Sequence, residues 1–178
     1  MSIVVTKQEI LEKSQAAFDS KGELDIIQLI DSLGIDVYGE SREDDFDAHI
    51  EYSEQDGYFV TVNTNKPLTR QRFSLAHELA HFVLHKDQLK SLKKMNRGKK
   101  ILLDHPSQKQ EKEADELAAE ILMPEAAVNH AIKEISGELK PRVSKSIIAE
   151  LAEMFEVSRV PIAMRLRSLG YYVPYIEL

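Results

Sequence analysis

The run His77-Glu78-Leu79-Ala80-His81 sets two imidazoles four positions apart, with a carboxylate next to the first. On a helix, positions i and i+4 lie one turn apart on one face, their Cβ atoms about 6 Å apart. Two imidazoles at that spacing can close on one Zn2+, each at about 2.0–2.1 Å. Glu78 follows His77 by about 100° around the helix, so it stands beside the ion without being a ligand. Zinc lowers the pKa of a coordinated water toward about 7. A neighbouring carboxylate can take that proton as the oxygen attacks a carbonyl. The chemistry suited to these residues is peptide-bond hydrolysis, with His77 and His81 as metal ligands and Glu78 as catalytic base. The bare pattern is short, and two histidines on a helix also occur as surface or satisfied core groups. The flanks weigh against that reading. Leu75, Ala76, Leu79, Ala80, Phe82, Val83 and Leu84 make the helix apolar nearly all round, which marks it as buried. Buried polar groups need partners, and a metal ion is one.

A catalytic zinc keeps three protein ligands and an open position. Thiolate ligands are excluded because the chain has no cysteine. A third His six residues after His81, preceded by a Gly, is also absent: Asp87 and Leu84 occupy those places. The remaining route takes a Glu from a second helix, with an acid one turn later. Glu111 and Asp115 in Glu111-Lys112-Glu113-Ala114-Asp115 fit it, on a stripe that continues through Ala118 and Leu122. Glu111 would reach the metal, and Asp115 would hold the far ring nitrogen of a ligating His. Glu113, about 200° around the helix from Glu111, is the competing third ligand. His85, one turn beyond His81, and Tyr58 are candidate substrate or oxyanion contacts, with Tyr52 beside them. His49, His105 and His130 lack helical partners at ligand spacing and read as structural or surface groups.

The elements around these residues can be read from breaks and periodicity. Residues 6–19 form an amphipathic helix with Thr6 as N-cap, ended by Gly22. A second helix covers Leu24 to Leu33, and Ile35 to Tyr38 is a short strand. His49 to Ser53 and Tyr58 to Asn63 are strands joined by a turn at Glu54-Gln55-Asp56-Gly57. The strand at Tyr58 to Asn63 is the expected cleft edge, free to pair with an extended substrate. Helix then runs from Thr69 to about His85. Lys86 to Lys109 lacks periodicity and reads as an exposed excursion, with eight Lys/Arg against Asp87 and Asp104. Helices follow at Gln110 to Met123, Glu125 to Ile135, Ser144 to Phe155 and Ser158 to Leu169. The tail from Tyr171 to Leu178 is a last strand or packed extension.

The formal net charge is -7, which opposes tight nucleic-acid binding. The last two helices look like a helix-turn-helix, with Ser158, Arg159, Arg165 and Arg167 near the face that would read DNA. Val160, Ile162, Met164, Leu166 and Leu169 leave that face little polar surface, so direct DNA binding is not expected. No apolar run reaches the about 18 residues of a membrane helix. The N-terminus is too short and broken for a signal peptide, and the lack of cysteine suits a reducing compartment. A cytoplasmic protein is expected.

Two blocks together resemble the ImmA/IrrE family of metallo-endopeptidases. One is Arg70 to His85; the other is Glu111-x-Glu113-Ala114-Asp115-x-x-Ala118-Ala119-Glu120-Ile121-Leu122-Met123-Pro124. Leu117 departs mildly from the family's usual Phe. The resemblance implies an α+β, zincin-like fold, with a small twisted sheet packed on the metal-binding helix. It implies Zn2+ on His77, His81 and Glu111, with Glu78 as base. It further implies an anti-repressor role, in which the protein substrate is a helix-turn-helix transcriptional repressor. Residues 1–124 would form the metallopeptidase core, and 125–178 a helical subdomain. The alternative is a non-proteolytic regulator that binds a repressor or another partner on the same scaffold.

Overall fold

Thr6 and Glu9 open the first helix by capping each other. The Glu9 N–H donates to Thr6 Oγ1 at 3.2 Å, and the Thr6 N–H donates to Glu9 Oε2 at 2.7 Å. Helix α1 (Lys7–Lys21) ends at Gly22, whose φ of 75° is the left-handed conformation that closes a helix at low cost. Asp25 caps the short α2 (Ile26–Asp31). Strands β1 (Asp36–Glu40), β2 (Ala48–Ser53) and β3 (Gly57–Asn63) follow, then α3 (Leu68–Met95), α4 (Gln108–Leu122), α5 (Glu125–Ser136), α6 (Lys145–Met154) and α7 (Arg159–Ser168). The computed structural model describes residues 5–43, 45–53, 55–95, 106–138 and 142–173, and it describes no side chains at 20, 21 and 87–95.

The sheet order is β1-β3-β2. β2 and β3 are an antiparallel hairpin, in which Ile50 faces Val60. β1 lies parallel to β3, with Val37 beside Val60. This corrects the expectation that Tyr58 to Asn63 is a cleft edge. Both sides of β3 are paired, and the outer strand of the hairpin is β2. Adjacency in sequence shows only the hairpin; the parallel partner arrives from upstream and closes the other flank.

One face of the sheet presents Ile50, Val60 and Val62 to the core, and α3 crosses it with Leu75, Ala76, Leu79, Ala80 and Phe82 buried. α4 packs along α3 and contributes Ala114, Leu117, Ala118, Ile121 and Leu122. Its start is fixed by Ser107 and Gln110, a second reciprocal cap. The buried cluster continues through Val128, Ile132, Ile148, Leu151, Ile162 and Leu166 to Tyr171. Pro124 therefore marks a change from sheet-and-helix to helices alone within one packed core.

The helix expected to stop near His85 runs on to Met95. Its added turns hold Lys, Gln, Leu and Met, all strong helix formers, in an order that lacks apolar periodicity. The rest of the expected excursion, residues 96–105 with His105, lies outside the described residues, as does 174–178 of the tail. In the C-terminal hairpin, Arg165 turns inward, and its Nε donates to the Met123 carbonyl at 2.9 Å. It secures the end of α4 instead of facing a groove. No helix among the described residues is long and apolar enough to cross a membrane.

Candidate metal centre

Successive turns of α3 carry His77, His81 and His85 along one face, and α4 lies against that face with Glu111, Glu113 and Asp115. His77 Nε2 and His81 Nε2 approach to 3.0 Å. The Glu111 carboxylate stands 3.2 Å from His77 Nε2 and 3.5 Å from His81 Nε2. Among the described residues, these three form a group able to hold a metal ion, their ligand atoms all within 4.8 Å of one another. The far side of His77 is held by Asp115, whose Oδ1 is 2.9 Å from Nδ1.

The donor set fits zinc. Two imidazole nitrogens and a carboxylate oxygen are the ligand types of catalytic zinc sites. Four ligands about 2.0–2.1 Å from an ion at tetrahedral angles are separated by about 3.3 Å. The observed separations of 3.0, 3.2 and 3.5 Å bracket that value. Asp115 accepts the Nδ1 proton of His77, so the Nε2 lone pair of that ring is turned toward His81 and Glu111.

Glu78 lies beside the cluster, and its Oε2 accepts the Ile50 N–H at 2.8 Å. That contact joins the outer strand of the hairpin to α3. Burial raises the Glu78 pKa to about 7, against the opposing effects of the His77 charge and the Ile50 hydrogen bond. A carboxyl so placed exchanges its proton near neutrality. Burial also pushes His81 down to about 3, with the charges of His77 and His85 acting the same way, so its imidazole stays neutral. For His77, burial opposes a charge, but the Asp115 hydrogen bond and the charges of Glu78, Asp115 and Glu111 outweigh it and raise the pKa.

A cleft of about 640 Å³ opens over these groups, lined by Phe46, Asp47, Ala48, His49 and Ile50 on one side. Phe73, Ser74, His77, Glu78 and His81 form its floor, and Pro106, Glu111 and Asp115 its other side. The expected contacts His85 and Tyr58 are not among these lining residues. Tyr58 packs on Tyr52 and Phe82, at ring separations of 4.8 and 4.9 Å. His85 is 7% exposed and lies behind His81, Nδ1 to Nδ1 at 3.0 Å. Glu113, the competing ligand, reaches His85 Nε2 at 3.3 Å and takes no part in the three-residue group. His130 is exposed beside Glu134.

The chain matches the family model described as the IrrE N-terminal-like domain over residues 30–167. It belongs to that family. It is 35% identical over 89 residues to a Bacillus subtilis (strain 168) protein named Metallopeptidase ImmA, an alignment covering 50% of this chain and 48% of that one. A solved structure titled a Mycobacterium tuberculosis transcriptional regulator shares the fold, with a TM-score of 0.55 at 17% identity. That match covers 89% of this chain and 46% of the other. In both comparisons the aligned region spans about half of the relative's own length. The family match spans both α3 and α4, the helices that carry His77, Glu78, His81 and Glu111.

Sequence reasoning missed residues that shape the cleft without bearing chemistry. His49, read as structural or surface, lines the opening, with Nε2 2.8 Å from Glu51 Oε2 and its ring 4.7 Å from that of Phe46. Asn63 is fully buried, and its amide makes hydrogen bonds to the backbone of Arg42, Phe46 and Asn65. It therefore holds the loop that carries Phe46 and Asp47. No spacing in the sequence signals that role; an Asn ending a strand is ordinary.

Proposed function

We propose that the chain is a zinc-dependent endopeptidase, and that its substrate is a helix-turn-helix transcriptional repressor. The observation that carries the enzymatic reading is the meeting of His77, His81 and Glu111 beside a half-buried Glu78 in the lining of an open cleft. His77, His81 and Glu111 would hold the ion. Zinc bound there would act as a Lewis acid toward a carbonyl oxygen and toward water. Glu78 is anchored through Oε2, and its carboxylate takes the proton from the attacking water. The water oxygen bonds to the scissile carbon, the C–N bond breaks, and Glu78 passes its proton to the leaving amine.

The substrate would lie along β2. Ile50 turns its N–H away from β3 toward Glu78, so the alternate backbone groups of this strand face outward. An extended peptide can add to that side. The repressor is proposed from the role that the ImmA/IrrE resemblance implies, while the name of the Bacillus relative, Metallopeptidase ImmA, supports only the peptidase activity; a cytoplasmic location goes with the proposal.

The test is metal content and cleavage of candidate helix-turn-helix repressors by wild type and Glu78→Gln. Both should retain about one zinc per chain, and only the wild type should cleave. Equal cleavage by both removes Glu78 from the mechanism. Zinc retention with no cleavage by the wild type supports the non-proteolytic scaffold instead.

A further inference from the structure

A second carboxylate on α4 completes a chain of contacts that the cleft chemistry does not use. Glu113 Oε2 lies 3.3 Å from His85 Nε2, and His85 Nδ1 lies 3.0 Å from His81 Nδ1. His81 Nε2 in turn faces His77 Nε2 and Glu111. His81 and His85 are nearly buried, at 2% and 7% exposure, while Glu113 reaches the surface and also pairs with Lys109 at 3.6 Å.

We infer that Glu113 and His85 are positioning residues that act in series to present the Nε2 lone pair of His81 to the metal. This rests on the metal-centre reading above. A carboxylate only accepts hydrogen bonds, so its contact with His85 Nε2 requires the proton on that nitrogen. The Nδ1 of a neutral His85 is then bare. A hydrogen bond between two Nδ1 atoms needs one proton, which must therefore sit on His81. With its proton on Nδ1, a neutral His81 has a bare Nε2, as a ligand must. The direction of the whole chain is set at the surface, by the one group that cannot donate.

The arrangement parallels that of His77. Asp115 orients His77 directly, whereas His81, one turn farther from Asp115, is oriented through an intervening imidazole. Each ligand imidazole thus ends on a carboxylate of α4, and the two carboxylates stand two positions apart. A merely structural His85 would fill space and satisfy its own nitrogens, with no bearing on how tightly His81 holds an ion.

Zinc affinity measured by competition with a chromophoric chelator distinguishes the two roles without reference to activity. His85→Phe keeps an aromatic ring but cannot accept the His81 proton, and should weaken zinc binding about 10–100-fold, the usual cost of losing such a partner. His85→Asn keeps an acceptor near the Nδ1 position and should bind within about threefold of wild type. Glu113→Met, which keeps the side-chain length at a half-exposed position but removes the acceptor, should weaken binding several-fold in the wild-type background and have no further effect in His85→Phe, because serial elements do not add. His85→Phe binding zinc like wild type overturns the relay, as does an equal loss from Glu113→Met in both backgrounds. If His85→Phe does not fold, wild-type affinity in Glu113→Met overturns it alone. A wild type that takes up no zinc refutes the metal-centre reading itself, a result distinct from each of these.

Discussion

Glu78→Gln separates what a half-buried carboxyl costs the fold from what it would do in the cleft. In the metal-free protein Glu78 keeps its proton up to about pH 7, whereas the ordinary value is 4.5. Between those values the folded state binds more protons than the unfolded chain, so raising the pH favours unfolding. A rise from 4.5 to about 7, at about 1.4 kcal/mol for each tenfold change in proton affinity, comes to about 3 kcal/mol well above pH 7. Gln has no proton to lose and keeps an oxygen for the Ile50 N–H. The variant should therefore gain on the wild type as pH rises, by about 2–3 kcal/mol between pH 5 and 8.5. His81, pushed down to about 3, contributes in the opposite direction: its stability is lost as pH falls from its ordinary value, and this is common to both proteins. It cancels in the difference between them. The assay is urea unfolding of chelator-treated protein across that pH range. A difference between variant and wild type that stays flat within about 0.5 kcal/mol would refute the burial argument for Glu78.

Asp115→Leu, which removes the acceptor, should lower zinc affinity about 10–100-fold, measured by chelator competition; undiminished affinity would show that the 2.9 Å contact with His77 does not orient the ring. Leu79→Ala, at a fully buried position of α3, should destabilise by about 2–5 kcal/mol in urea unfolding, and a loss under about 1 kcal/mol would mean the site collapses around the gap. Asn63→Ala strands backbone groups of Arg42, Phe46 and Asn65 and should cost about 3 kcal/mol, with faster proteolysis at Arg42 and Phe46; an unchanged digestion pattern would argue that other contacts hold them. Thr6→Ala removes the α1 cap and should cost about 1 kcal/mol, read from the shift in urea midpoint.

Much of the fold was legible because breaks and caps are local. Thr6, Gly22 and Pro124 mark helix ends through their own backbone chemistry, and those ends lie within a few residues of where these signals put them. The α+β class followed from the same marks. The strand order was not legible: a parallel pairing between β1 and β3 leaves no local trace, so β3 looked like an edge. The run from Lys86 to Met95 was misread because periodicity was asked for where propensity decided. At the metal centre, His77, His81 and Glu111 could be named together because i, i+4 spacing and the stripe on α4 are one-dimensional signals. The place of His85 needed the relative rotation of two helices, which no spacing within either one reveals. The same holds for Glu113, which from its angle on α4 looked like a rival to Glu111 and instead serves the next turn of α3.

His81 and Glu111 stand thirty positions apart on different helices. An ion gripped by both clips α3 to α4 in a chain that has no cysteine and hence no disulfide. By chain-entropy reasoning, a crosslink closing a loop of about 30 residues is worth about 4 kcal/mol against the unfolded state. The clip also outlasts the backbone it spans. A protease nick anywhere within residues 82–110 would leave two fragments still tethered through the ion and their shared core, and a chelator would remove the first of those two holds. The centre that would cut other chains would thus also keep its own chain together after cutting.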